Sequence, residues 1–561
     1  VSVYQLGELE NSVEKALAEL TQNEVVSRIW EKDHTVWRPD PQEISNRLAW
    51  LHSPDEMLQN VDEIMTFVQD VVAAGITHAV LLGMGGSSLA PEVFRFSFGI
   101  KEGFLDLAVL DSTHPGSVLE YADRFDPKKT LYIVSTKSGG TVETLSFLKY
   151  FYNLVRGDIE GVPGSHFVAI TDPDSSLSKL AEKLSFRKTF LNNPDIGGRY
   201  SVLSYFGLVP AALIGIDIKK LLLRARNMAN TCRETNATQN PGAKLGAALS
   251  QATLAGRNKA TLFYSDAIKF LGAWVEQLVA ESTGKENTGV VPIDLELQLE
   301  ASLYAKDRLF IHSVLGASEN NLEPLQKAGH PTITLELNDI YDLGAEFFRW
   351  EFATAIACER LKINPFDQPD VESAKIQARN MMTEFLEDGK LPTELANLET
   401  DSMRLYCGAD VKNLQEALAI FFAEEDELET NSERSYVAIQ AYLQPNLEIY
   451  DALQELRHQI GAKLKLATTI GFGPRFLHST GQLHKGDSGS GLFLQITSTT
   501  GDDAAIPDEP GSDSSKISFS ILISAQALGD REALLRNNRK TIRIHIKNDA
   551  LHGIKEIQAA L

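Results

Sequence analysis

An α/β fold of doubly wound parallel sheets is predicted by three observations. Short apolar runs of strand length alternate with helical stretches from residue 76 onward; two of those runs feed into glycine- or serine-rich turns that open a helix; and 561 residues are too many for one core. Residues 1–75 read as helices with an acidic surface, as in Leu9 to Leu20. Residues 76–235 contain the runs Ala79–Leu82, Leu107–Leu110, Leu131–Val134 and His166–Thr171, separated by helical spacing, and are expected to form a first subdomain. Residues 236–385 repeat the pattern with Ala260–Tyr264, Arg308–His312 and Thr332–Leu337, a second subdomain of similar size. The pattern loosens into acidic sequence near Glu384–Lys390 and Glu424–Glu429, read as a boundary region and a solvated helix face. Residues 386–561 are expected to form a smaller α/β unit, with strands at Tyr436–Tyr442, Gly491–Ile496, Ile517–Leu522 and Thr541–Ile546, and with Gly501–Lys516 as a loop.

Composition limits the function classes. A net charge of −23 leaves no excess of Lys and Arg to neutralise a phosphate backbone, so nucleic acid is not an expected partner. A small anion needs only a few local donors and is still allowed. The three cysteines, Cys232, Cys358 and Cys407, have no zinc spacing, which fits a reducing cytoplasm and no structural metal. No apolar run reaches the roughly 20 residues that span a bilayer, and no basic-then-apolar leader opens the chain. A chain opening at Val1 instead of Met is expected to be a piece of a longer one.

The most informative segment is Val134-Ser-Thr-Lys-Ser-Gly-Gly-Thr-Val-Glu-Thr144, which follows an apolar strand and precedes a helical run from Leu145 to Val155. It offers hydroxyls, a lysine, two glycines and the N–H groups at the positive end of a helix, a set suited to phosphate. It lacks the spacing of a nucleotide P-loop, which favours a phosphorylated metabolite over ATP. Taken alone, an ordinary Ser/Thr helix cap would look the same. Upstream, Gly83-Met-Gly-Gly-Ser-Ser-Leu-Ala-Pro91 is a second turn after a strand. Its third glycine position holds Ser88, which weakens a dinucleotide reading, although Asp111 sits near the acidic position that such a reading needs.

Three further groups carry candidate chemistry. Arg199, in Gly197-Gly198-Arg199-Tyr200-Ser201, sits beside paired glycines that let its guanidinium fork approach a ligand oxygen; a structural ion pair is the alternative. Glu281 closes an apolar helical run with Trp274, Val275, Leu278 and Val279, an edge where a carboxylate can be partly desolvated and serve as a general base. A solvated helix-end glutamate would look alike. Asn364 to Lys375 reads as a turn entering a helix, with Gln368 and Lys375 two turns apart on one face.

As a set, these motifs resemble the glucose-6-phosphate isomerase family: Gly-Gly-Ser at 85–87, the Lys137 loop, Gly-Gly-Arg-Tyr-Ser at 197–201, Glu-Ser-Thr-Gly-Lys at 281–285, and Phe-Asp-Gln, Val-Glu and Lys within 366–375 occur in that family's order. The resemblance implies two sugar isomerase (SIS) subdomains and conversion of glucose 6-phosphate to fructose 6-phosphate without metal or nucleotide cofactor. By motif matching, Ser87, Thr136, Lys137, Ser138 and Thr141 would hold the phosphate, with Gly198 and Gln368 also at the substrate. Glu281 would move a proton between C1 and C2 through a cis-enediol, Arg199 would steady the enediolate, and Lys375 would assist ring opening. The phrases Gly473 to Lys485 and Asn364 to Val371 look like the isomerase half of fused transaldolase/glucose-6-phosphate isomerase proteins, so a transaldolase half is expected to be missing here.

The chain departs from the family in one respect. The Asn-Gly-Gln-His segment that carries the ring-opening histidine is missing. His478 is the first candidate, His484 the second and His312, inside an apolar strand, the third. Because that histidine comes from a neighbouring subunit in the family, a homo-oligomer is expected. A dual phosphoglucose/phosphomannose isomerase would keep the same phosphate loop and base. A non-catalytic SIS-type sugar-phosphate sensor would be expected to lose the base or the Phe-Asp-Gln helix, both of which are present.

Overall fold

The computed structural model describes residues 2–318, 320–423 and 435–561; the acidic stretch Glu424–Glu429 lies outside the described residues. The first sheet has the spatial order Asp106–Leu110, His78–Gly83, Thr130–Ser135, Phe167–Thr171, Lys188–Leu191, and every pairing is parallel. Its three inner strands are buried nearly throughout, which is why they read as continuous apolar runs instead of alternating ones. The chain starts this sheet at His78–Gly83 and adds strands first on one side, then on the other. The order therefore reverses between His78–Gly83 and Thr130–Ser135. The carboxyl ends flanking such a reversal form the crevice where open α/β sheets take ligands, and these two strands feed the Gly85 turn and the Lys137 loop.

The second sheet runs Ser2–Gln5, Thr332–Glu336, Arg308–Val314, Lys259–Tyr264, Val291–Ile293, parallel except at its first member. Residues 1–75 are thus not wholly helical: Ser2–Gln5 pairs antiparallel with Thr332–Glu336, its burial alternating along four residues too few to show a period. The third sheet has six strands, ordered Leu398–Glu399, Met403–Tyr406, Lys540–Ile546, Gly491–Ser498, Tyr436–Tyr442, Ala467–Phe472, with the last four parallel. The strand expected at Ile517–Leu522 is a correction. Only Ile517–Ser518 is extended, pairing with Ala505–Ile506, and a helix spans Phe519–Arg536. Ser518 accepts from the Ile521 N–H and caps that helix, a use of serine that overrides the period-two pattern.

The third unit presents the carboxyl ends of its strands to the first subdomain. Ala467–Phe472 leads into the one-turn 3-10 helix Arg475–His478, while Ala504, Ile506, Phe519 and Leu522 join the apolar core around Phe147. The Phe519 and Phe147 rings stack with centroids 5.7 Å apart. Burying one such ring is worth about 1.5 to 3 kcal/mol. The exposed Arg156–Asp513 ion pair at the same seam is worth at most about 1 kcal/mol. Apolar burial therefore holds the units together. The helix Val371–Asp388 lies along Phe519–Arg536 so closely that a Cβ on Gly529 would meet the Ala378 amide nitrogen at 2.6 Å. Among the described residues no helix is long and apolar enough to cross a membrane.

At the seam between the second and third units, Arg457 donates to the Asp294 carbonyl at 2.7 Å, and the Asp294 carboxyl is buried with Oδ1 unpartnered. Burial pushes that carboxyl from 3.8 up to about 7, against the pull of Arg457. Over this interval the folded chain keeps a proton that the unfolded chain has released, so the group's contribution to stability is lost as pH rises through about 7. Asp294→Asn should therefore gain on the parent between about pH 4 and pH 8 in urea midpoint. A gap between parent and variant that is constant with pH would count against this assignment.

Candidate active site

The Lys137 loop joins Thr130–Ser135 to the helix Val142–Asp158. Thr141 stands at the cap position, but its hydroxyl meets that of Thr136 at 2.8 Å and makes no cap hydrogen bond, so the first N–H groups of the helix have no side-chain cap. Lys137 pairs with Asp172 and donates to the Pro194 carbonyl at 2.8 Å. Burial pushes the Asp172 carboxyl up, and Lys137 pulls against it. Ser138 is exposed and accepts from the Gly140 N–H. Ser87 ends the Gly85–Ser87 turn and is buried. A Cβ on Gly86 would collide with the Gly198 carbonyl, so this turn and the Arg199 turn touch backbone to backbone.

Glu281 lies near the end of the buried helix Leu271–Thr283 and is 6% exposed. Its Oε1 is 3.3 Å from Arg199 Nη1, and its Oε2 accepts from Gln277 Nε2 at 3.2 Å. Arg199 is fully engaged: Nε donates to Ser282 Oγ at 2.8 Å, Nη1 to Gln368 Oε1 at 2.7 Å, and Nη2 to the carbonyls of Pro365 and Asp367. Lys285, buried, donates to the Asn364 and Asp367 carbonyls and to Asp367 Oδ1 at 2.6 to 2.8 Å, pinning the same turn from the other side. Burial pushes the Lys285 ammonium down. The following helix begins at Val371, so Gln368 precedes it and shares no helical face with Lys375.

His478 is the histidine that reaches this place. Its backbone carbonyl accepts from Gln277 Nε2 at 2.7 Å, and its Nε2 lies 3.0 Å from Glu143 Oε1. Burial pushes the Glu143 carboxyl up, but the His478 imidazole, its hydrogen bond and the charge of Lys375 together bring it below its ordinary value. An ionised Glu143 accepts, so His478 Nε2 carries the proton. Gln526, from the third unit, donates to the same Glu143 oxygen at 2.6 Å and accepts from Thr113 Oγ1 at 2.7 Å. His484 is a core residue instead, its ring packed on Phe476 and Phe493 and its Nδ1 3.3 Å from Gln440; burial pushes its imidazole well down. His312 sits in its strand with Nε2 2.8 Å from Ser318 Oγ, and burial pushes it down to about 4.

Glu143, Gln277 and Gln526 did not emerge from sequence reasoning. For Gln277 a signal exists, because it stands one helical turn before Glu281 on the same face. Together these residues make one hydrogen-bonded line, Gln526, Glu143, His478, Gln277, Glu281, Arg199, Gln368, drawn from all three units.

Parallel-sheet subdomains that meet over an uncapped helix N-terminus and a buried glutamate define the class: a sugar isomerase (SIS) fold. The family model described as "Phosphoglucose isomerase" matches residues 52–297. The glucose-6-phosphate isomerase of Carboxydothermus hydrogenoformans is 30% identical over 389 residues, covering 58% of this chain and 83% of that protein. The one from Campylobacter jejuni is 29% identical over 384 residues, covering 60% and 93%. Among solved structures, a hypothetical protein from Thermus thermophilus aligns with a TM-score of 0.59 at 24% identity, covering 68% of this chain and all of that one. A glucose-6-phosphate isomerase from Chlamydia trachomatis aligns with a TM-score of 0.52 at 18% identity, covering 66% and 79%. These two structures speak to the fold. The chain belongs to the phosphoglucose isomerase family.

Lys285→Met should cost about 2 to 4 kcal/mol, since two carbonyls and a carboxylate lose their buried cation together. Denaturant unfolding measures it, and a change below about 0.5 kcal/mol would mean that the turn is held by something else.

Proposed function

We propose that this chain interconverts glucose 6-phosphate and fructose 6-phosphate, with Glu281 as the base that carries the proton. The observation that carries the reading is the continuous line from Glu143 to Gln368, in which Glu143 holds the His478 imidazole, Gln277 joins the His478 backbone carbonyl to Glu281, and Glu281 pairs with Arg199, beside an anion-ready loop. The phosphate is bound by Ser87, Thr136, Lys137, Ser138, Thr141 and the N–H groups of the helix that follows. Lys137 exchanges Asp172 and the Pro194 carbonyl for the stronger anion.

The closed sugar must open first. His478, held by Glu143 with Nε2 protonated, uses its other ring nitrogen, and Lys375 supports the same step with its charge. Glu281 then takes the C2 proton of the aldose, the electrons pass into the enediolate, the O2 hydroxyl proton passes to O1, and the same carboxyl returns its proton to C1. Gln277 keeps the carboxylate from rotating between the two transfers. Stabilising the enediolate oxygens is the role of Arg199, which first exchanges its bond to the exposed Gln368 for one to substrate. Gly198 supplies the close backbone approach beside it.

In the family the histidine crosses from a neighbouring subunit, whereas His478 belongs to the same chain as Glu281. The site we propose is complete in one chain, and a homo-oligomer would serve some purpose other than completing it. The reducing cytoplasm is the proposed compartment, on three free cysteine thiols. The likeness of the C-terminal phrases to the fused proteins extends the proposal to a transaldolase unit joined ahead of residue 1. An isomerase that also takes mannose 6-phosphate would use the same residues, and a mannose 6-phosphate assay separates the two.

Two variants test the roles in a coupled assay of fructose 6-phosphate conversion. Glu281→Gln should lower kcat by about a thousandfold or more while substrate still binds; near-normal turnover would remove Glu281 from the chemistry. Lys137→Ala should raise KM about tenfold or more and spare kcat, whereas an unchanged KM would reject the phosphate loop.

A further inference from the structure

His478 stands on a single 3-10 turn, Arg475–His478, at the end of a strand in the third unit, while its partners lie in the first and second subdomains. A one-turn element fixes a side chain poorly unless something else fixes the turn. Arg475 is the first residue of that turn, and in 3-10 geometry residues three apart lie above one another on one face. The face carrying Arg475 and His478 meets the first subdomain. Phe476, between them, points back into its own unit and packs edge-on against Tyr442 with centroids 5.5 Å apart.

The Arg475 guanidinium reaches Glu92 through both terminal nitrogens, one at 3.1 Å, and its Nε lies 3.4 Å from Asp111 Oδ2. Glu92 is on the helix Leu89–Phe98, which begins directly after the Gly85 turn, and Asp111 directly follows the strand Asp106–Leu110. Both carboxylates therefore follow strands of the first sheet at their carboxyl ends, the side of the sheet from which the Lys137 loop also leaves. A two-pronged guanidinium grip fixes direction as well as distance, which a single ammonium does not.

We propose that Arg475 is a positioning residue for ring opening: gripped by Glu92 and Asp111, it sets the place of the Arg475–His478 turn, and so of the His478 imidazole, against the first subdomain. The grip is not what attaches the third unit, since the core around Phe147 and Phe519 does that. Its loss moves the turn and leaves the unit docked. The inference rests on the reading of His478 as the ring-opening group.

The test uses interconversion of the two anomers of glucose 6-phosphate, which requires ring opening and closure but no C–H cleavage, followed by NMR exchange with the full chain. Solvent-deuterium uptake at C2 reports the proton transfer separately. Arg475→Gln, and the milder Glu92→Gln that leaves Arg475 beside Asp111, should slow enzyme-catalysed anomer exchange by about tenfold or more, with apparent affinity for glucose 6-phosphate within about twofold. Adding Arg475→Gln to His478→Ala should cost nothing further, because both act through one group. If His478→Ala slows anomer exchange but neither Arg475→Gln nor Glu92→Gln does, the proposal is overturned and the histidine reading stands. Equal further losses from Arg475→Gln with and without His478 would also overturn it, as the mark of a general structural role. Anomer exchange untouched in His478→Ala would overturn the histidine reading and the proposal with it.

Discussion

The carboxamide of Gln277 is the join on which the site depends. One nitrogen donates both to the carboxylate of Glu281 and to the backbone carbonyl of His478, at 3.2 and 2.7 Å. Those two acceptors are separated by nearly two hundred residues of chain, so the hydrogen bonds report how a helix of one unit and a turn of another are seated. Gly85 makes the seating possible. Its backbone is in the left-handed region, and a Cβ there would lie 2.8 Å from both the Gln277 nitrogen and the His478 carbonyl. Three units approach one point because one of them has no side chain at that point.

Around this join nearly every polar group is committed. Arg199 uses all its donors, Lys285 holds the turn that Arg199 grips, and Glu143 is shared by His478 and Gln526. Such networks are stiff when complete, because an unpaired member in a low-dielectric interior costs more than a bond returns. Among the described residues one exception is Gln277 Oε1, buried and unpartnered next to Glu281. On the reading proposed here, the groups that yield to a substrate are the outer ones, Gln368 on its exposed turn and Lys137 in its loop.

Much of this was legible in the chain. Strands buried on both faces announce themselves as continuous apolar runs, and Thr130–Ser135 with its polar loop is the clearest case. The Glu281 helix end and the Arg199 turn could be read because glycine and charge stand close together there. Shorter elements escaped. Val291–Ile293 has three residues, and Ala467–Phe472 hides behind two threonines and a glycine. Ile517–Leu522 misled because alternation and a serine cap coincide. The pairing of Glu143 with His478 had no local signature, since nothing in either neighbourhood encodes a contact across 335 positions. Its place in the helix after the Lys137 loop makes Glu143 look like an ordinary first-turn carboxylate.

That the histidine and the base are carried by one polypeptide has a genetic consequence on the reading proposed here. Where the two halves of a site come from different copies, a strain expressing two differently damaged alleles can regain activity, because some mixed assemblies pair the good half of each. Here each molecule stands or falls alone. An allele that has lost the base and an allele that has lost the histidine would remain null when expressed together, and each gene copy would be selected on its own sequence.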